Sequence, residues 1–154
     1  MPEVPIRAFI VSLVAIREGR DNVEVLLLKR TQSLEGEWCQ IAGSIEENET
    51  AWQAALRELR EETGLEAVSL YSADICEQFY EPHRDAITMS PVFVAYIDNE
   101  ADVKLNFEHS DYVWVSFDGA VEMVAFGGQR RVLRWIRDEF VLRKPSHHLR
   151  IEFG

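Results

Sequence analysis

The sequence predicts an α/β fold of the α+β type, a mixed β-sheet flanked by helices. Three observations carry that expectation. Residues 5–16 and 23–29 are rich in β-branched and aliphatic side chains and are separated by a polar turn, Arg17-Glu-Gly-Arg-Asp-Asn22. Residues 50–62 and 129–142 carry apolar side chains at helical spacing. Strand-like and helix-like segments do not alternate strictly, which disfavours a doubly wound parallel sheet.

In chain order, 5–16 (PIRAFIVSLVAI) and 23–29 (VEVLLLK) read as two pairing strands. Residues 31–36 form a polar loop, and 37–49 a loop or short hairpin containing Trp38 and Gly43. Thr50 and Gln53 make a T-x-x-Q capping box at the start of the clearest helix. Ala51, Ala55 and Leu59 share one face of it, with Trp52 and Leu56 alongside, and Thr63-Gly64 supplies the stop. Residues 68–80, 87–97 and 112–116 read as further strands. Residues 129–142 read as a second helix with Val132, Leu133, Ile136 and Phe140 inward, its start lying anywhere from Val121 onward.

With 154 residues, no repeat and no linker-like tract, the expectation is one domain over 1–154. No apolar run approaches the roughly 20 residues of a membrane span, and the start Met-Pro-Glu-Val-Pro has no secretion-signal pattern. Cys39 and Cys76 lack metal-type spacing and read as small apolar fillers in a reducing cytoplasm, with a pair as the alternative. The net charge of −11 argues against a nucleic-acid duplex as partner. Residues 1–125 hold 24 acidic against 9 basic side chains, and 126–154 hold 3 against 7, so phosphate must be drawn in by metal ions or local basic groups. Monomer and homodimer both remain open.

Glu58, Glu61 and Glu62 stand at i, i+3 and i+4 in the last turns of the first helix. Like charges at i,i+4 each cost about 0.2–0.5 kcal/mol, and carboxylates at the negative end of a helix cost about 0.3–1 kcal/mol more. A solvated, salt-bridged face built on Arg57 and Arg60 is one explanation. A divalent cation is the other, because Mg²⁺ takes oxygen ligands and a helix holds carboxylates at fixed separation.

The surrounding residues decide between them. Residues 43–65, GSIEENETAWQAALRELREETGL, resemble the Nudix box, G-x5-E-x7-R-E-U-x-E-E-x-G-U with U aliphatic, at every specified position: Gly43, Glu49, Arg57, Glu58, Leu59, Glu61, Glu62, Gly64 and Leu65. The resemblance implies a Nudix-like fold, a mixed sheet sandwiched between helices, and a hydrolase that splits a diphosphate linkage with Mg²⁺, or Mn²⁺ in its place. It implies Glu58 and Glu62 as the principal metal ligands and Glu61 as a ligand or its neighbour. Ala42 would offer its carbonyl to the metal, Arg57 would orient the catalytic carboxylates, and Glu49 would be the structural partner of Arg57. Gly43 permits close approach of its loop.

One departure is Ile41-Ala42 in place of the frequent Pro-Gly. Residues 38–44 (WCQIAGS), with Glu108-His-Ser-Asp-Tyr-Val-Trp114, resemble the subgroup containing dihydroneopterin triphosphate pyrophosphatase and dATP-cleaving relatives. That resemblance implies Glu108 as a further metal ligand or general base, an ordinary acidic turn being the alternative.

The chemistry implied is in-line attack by an activated water on one phosphorus of a nucleotide-like polyphosphate, with Glu108 or a helix glutamate, Glu58 or Glu61 included, taking the proton. Lys29, Arg30 and, more weakly, Arg7 are candidate phosphate contacts; Arg130 and Arg131 read better as an exposed basic face. Trp38, Phe79, Tyr80, His83 and Arg84 are stacking candidates, with core packing the competing explanation for the aromatics. The substrates expected are dihydroneopterin triphosphate or a (deoxy)nucleoside triphosphate. The alternatives are a dinucleoside polyphosphate or nucleotide sugar, or a nucleotide-sensing module without turnover.

Overall fold

A computed structural model describes all residues, 1–154. Its strands are β1 (Ile6–Arg7), β2 (Ile10–Glu18), β3 (Val23–Arg30), β4 (Trp38–Cys39), β5 (Ile41–Ser44), β6 (Ser69–Glu81), β7 (Ala86–Tyr96), β8 (His109–Ser116) and β9 (Arg150–Ile151). Its helices are α1 (Ala51–Thr63), α2 (Phe117–Met123) and α3 (Gly127–Ile136). A π-helical turn (Arg137–Val141) and a short 3₁₀ turn (His147–Leu149) complete the chain.

β2 organises the sheet. It runs parallel to β7 from Ser12↔Val92 to Ile16↔Tyr96, and its other edge is divided. β5 pairs with its first half, Ile10↔Ser44 to Leu13↔Ile41. β3 pairs with its last residues, Ile16↔Val25 to Glu18↔Val23, then diverges from β2, while β8 runs antiparallel along β3 from Glu24 to Arg30. A notch therefore opens between β3 and β5. β4 sits beside it, paired to β3 through Leu28↔Cys39. β6 continues the sheet beyond β7, and β9 closes that edge.

Side-chain alternation then makes two cores from one sheet, because successive residues of a strand face opposite sides. Val11, Leu13, Leu26, Leu28, Phe93 and Ala95 face α1 and meet Ala54, Ala55 and Leu59. Val14, Ile16, Val25, Leu27, Val92 and Val94 face α2 and α3 and meet Phe117, Val132, Leu133 and Ile136. The mixed sheet sandwiched between helices is the observed architecture.

Several elements differ from expectation. The first strand is broken at Ala8-Phe9, because β1 and β2 pair with separate stretches of β7. β4 and β5 do not form a hairpin with each other; each joins a different partner across the notch. The expected second helix is α3 and the π turn after it; α2, starting at Phe117, is a further helix separated from α3 at Val124–Phe126, where Val124 bridges to Trp38. The π turn is closed by the Leu142 amide donating to the Arg137 carbonyl at 2.9 Å. Val132, Leu133, Ile136 and Phe140 are all buried, as the spacing predicts. Both cysteines are free thiols.

Candidate active site

α1 begins as its sequence dictates. The Gln53 amide donates to Thr50 Oγ1 at 3.2 Å, and the Thr50 amide donates to Gln53 Oε1 at 2.8 Å. It ends at Gly64, whose φ of 72° is the left-handed conformation open to glycine. Between these caps the buried stripe runs Ala55, Leu59, Glu62, at i, i+4 and i+7. Glu62 thus occupies a position where spacing calls for an apolar side chain.

The three helix glutamates are not equivalent. The side chain of Glu61 is 54% exposed, that of Glu58 12% and that of Glu62 2%. Glu62 Oε2 is enclosed and has no hydrogen-bond partner. Burial first, then the neighbouring carboxyls of Glu58 and Glu108, push the Glu62 carboxyl far above the usual carboxylate range; Arg30 opposes this.

Arg57 holds the other side of the cluster. Its Nη2 donates to Glu49 Oε1 at 2.7 Å and its Nε to Glu49 Oε2 at 3.1 Å. Its Nη1 reaches Glu58 at 2.8 Å and Glu61 at 3.2 Å, and Nη2 also donates to the Ser44 carbonyl. Hydrogen bonding to Arg57 lowers the Glu49 pKa, and the same contacts raise that of Arg57. One guanidinium therefore ties the start of the box to its helix. Gly43 lies against Glu58 so closely that a Cβ there would overlap the carboxyl group. The φ of Gly43 is not left-handed, so absence of the side chain is what matters here.

A pocket in the notch is lined by Arg30, Ala42, Glu62, Glu108 and His109, with Gln40 and Cys39 on its wall. Glu108 is set by its own loop: its amide donates to Asn106 Oδ1 at 3.0 Å, and its carbonyl accepts from the Thr31 hydroxyl at 2.9 Å. Arg30 donates to the Ser33 carbonyl and hydroxyl at 2.7 and 2.6 Å. The loop after it is pinched at its base, with the Arg30 amide on the Glu37 carbonyl and the Gly36 amide on the Arg30 carbonyl.

Of the residues proposed from sequence, Ala42, Glu62, Glu108 and Arg30 line one pocket, and Glu58 abuts Glu62. Glu61 lies outside it, turned to Arg57. Lys29 lies 6.0 Å from the Trp38 ring centre, and Arg7 is exposed over Phe9, so neither joins that lining. Arg84 approaches the same Phe9 ring, and Arg130 donates to the Val124 carbonyl. Phe79 and Tyr80 are exposed rather than packed in the core.

Sequence reasoning missed His109 and Gln40, although both lie within quoted segments. His109 is buried, its Nε2 3.6 Å from Glu62 Oε1, and burial lowers its pKa. Gln40 Nε2 donates to Ser12 Oγ at 2.7 Å and to Glu77 at 3.3 Å, and its Oε1 accepts from Gln129. Burial also raises Glu77. The Cys39 thiol is pushed up to about 11 by burial, which keeps it an unreactive wall of the pocket.

Chemically, the cluster fits a divalent cation. Its acidic donors are hard oxygens, one enclosed carboxyl oxygen is unpartnered, and the charge facing it is mostly negative. No three acidic, histidine or cysteine side chains already converge as a complete coordination set. Glu58 and Glu61 instead both face Arg57.

The NUDIX domain model matches residues 7–136. A Myxococcus xanthus protein named octanoyltransferase is 32% identical over 126 residues, 80% of this chain and only 35% of that longer protein. The Caenorhabditis elegans asymmetrical bis(5'-nucleosyl)-tetraphosphatase is 27% identical over 79% of this chain and 88% of its own length. The Escherichia coli dihydroneopterin triphosphate diphosphatase is 39% identical over 59 residues, 38% of this chain and 39% of its own. A solved C. elegans Ap4A hydrolase superposes with a TM-score of 0.73 at 24% identity, covering 88% of this chain and 96% of that one, which supports the fold. The chain belongs to the NUDIX family.

Proposed function

We propose that this protein hydrolyses a diphosphate linkage in a nucleotide-like polyphosphate, using Mg²⁺ or Mn²⁺ held by Glu58 and Glu62. The observation that carries the reading is the enclosed, unpartnered Oε2 of Glu62 beside two further carboxyls. A buried carboxylate without a partner is strongly unfavourable, and a cation removes that cost. When bound, the metal supplies Lewis-acid activation of water and screens phosphate charge. Arg57 orients Glu58 and Glu61 through its Nη1. Glu108, exposed at the rim with its backbone held by Asn106 and Thr31, takes the proton from the attacking water in this reading. Arg30, on the pocket wall, is placed to meet a phosphate oxygen.

Two substrate classes follow. A dinucleoside polyphosphate is favoured by the relative that aligns along most of both chains. A pterin or nucleoside triphosphate is favoured by the higher local identity to the diphosphatase. The test is product analysis with Mg²⁺ on diadenosine tetraphosphate, dihydroneopterin triphosphate and dATP. Release of a mononucleotide pair from the first, or of pyrophosphate from the others, assigns the class. Saturable binding with no turnover on any of them would overturn the enzymatic reading.

A further inference from the structure

We propose that His109 is a positioning residue that holds Glu62 in the orientation needed to receive the divalent cation, an inference resting on the reading of Glu62 as a metal ligand. The argument starts with strand register. β8 runs against β3 through Trp114↔Leu26, Tyr112↔Leu28 and Asp111↔Lys29, but the next pair is His109↔Arg30. Ser110 is therefore an extra residue, a β-bulge on β8. Leu26 and Leu28 face α1, and Arg30 shares their parity. In an unbulged strand Ser110 would face α1 opposite Arg30, and His109 would face the other side. The extra residue reverses this and turns the imidazole toward the pocket holding Glu62.

The placement is costly without a function. His109 Nδ1 is enclosed with no partner, as is Glu62 Oε2. The side chains are 5% and 2% exposed, and Nε2 stands 3.6 Å from Glu62 Oε1. Of the two Glu62 oxygens, one faces the imidazole and the other is left free. That division suits a carboxylate binding an ion through one oxygen, with the other oriented by a neighbour. Arg57 holds the Glu58 carboxylate by a direct contact, and His109 supplies the corresponding support for Glu62.

The test is Mn²⁺ binding to the protein alone, followed by electron paramagnetic resonance, in wild type, Glu62→Gln, His109→Gln and His109→Asn. A glutamine amide reaches about as far as Nε2, whereas an asparagine amide reaches only as far as Nδ1. His109→Asn should weaken Mn²⁺ binding about ten- to hundredfold, and His109→Gln should restore most of it. Thermal unfolding of the metal-free proteins is measured in parallel. Equal Mn²⁺ affinity in wild type and His109→Asn would overturn the proposal, and so would a shared loss in both His109 variants tracking lowered metal-free stability. Unchanged binding in Glu62→Gln would instead overturn the assignment of Glu62 as ligand.

Discussion

Gly43 and Glu58 occupy adjoining space with nothing between them: a methyl group on the glycine would overlap the Glu58 carboxyl. Strand β5 and helix α1 are thus in contact at the point where the carboxylate is presented. Gly43→Ala should displace Glu58 while leaving both cores intact. Misplacement by about 1 Å costs on the order of a hundredfold in rate. Steady-state kinetics with circular dichroism as a folding control checks this; unchanged turnover would mean that the Glu58 carboxyl can move aside without consequence for the reaction.

Arg57→Lys keeps the charge but loses the planar fork that serves Glu49, Glu58 and Glu61 together. Turnover should fall roughly ten- to hundredfold, as for other residues that orient metal-binding side chains. A shift in the metal concentration needed for half-maximal rate should accompany it.

The metal-free protein should lose stability as pH rises. The carboxyl of Glu62 is raised in the folded state by burial, so between its unfolded pKa, about 4.3, and its folded pKa the native state binds more protons than the unfolded one. Stability from this group is full below that window and declines through it. Thermal midpoints in chelator from pH 5 to pH 9 should fall for wild type and flatten for Glu62→Gln. Mg²⁺ should recover the wild-type midpoint at the alkaline end and not that of the variant.

Thr50→Ala removes the side chain that accepts from the Gln53 amide. Loss of such a cap costs about 1 kcal/mol, equivalent to about 2–4 °C in Tm for a chain of this size. Because Thr50 lies a full helix length from Glu62, kcat should be unchanged; a large drop would show that the α1 N-terminus shapes the site.

The readable parts of the sequence were those governed by local rules. Capping at Thr50, the stop at Gly64 and the buried face of α3 depend on residues a few positions apart. The contact of Arg57 with Glu49, eight residues away, was implied instead by the resemblance to the Nudix box. What could not be read depends on register between distant segments. The break at Ala8-Phe9 is set by β7, and the inward turn of His109 is set by a bulge against β3. Gln40 meets Gln129 across 89 positions, with no pattern near either to announce it. Lys29 and Arg30 are adjacent and both cationic, yet pleating brings Arg30 alone into the pocket lining.

The pinched loop after Arg30 has a consequence for how such a protein can diversify. Its two ends are joined by backbone hydrogen bonds at residues 30, 36 and 37, and the stretch between is exposed from 32 to 36. Lengthening or recomposing that stretch alters the doorway to the notch without moving a residue of either core. Changes in one short segment can thereby reset how Ser33 holds Arg30 while both cores stay as they are.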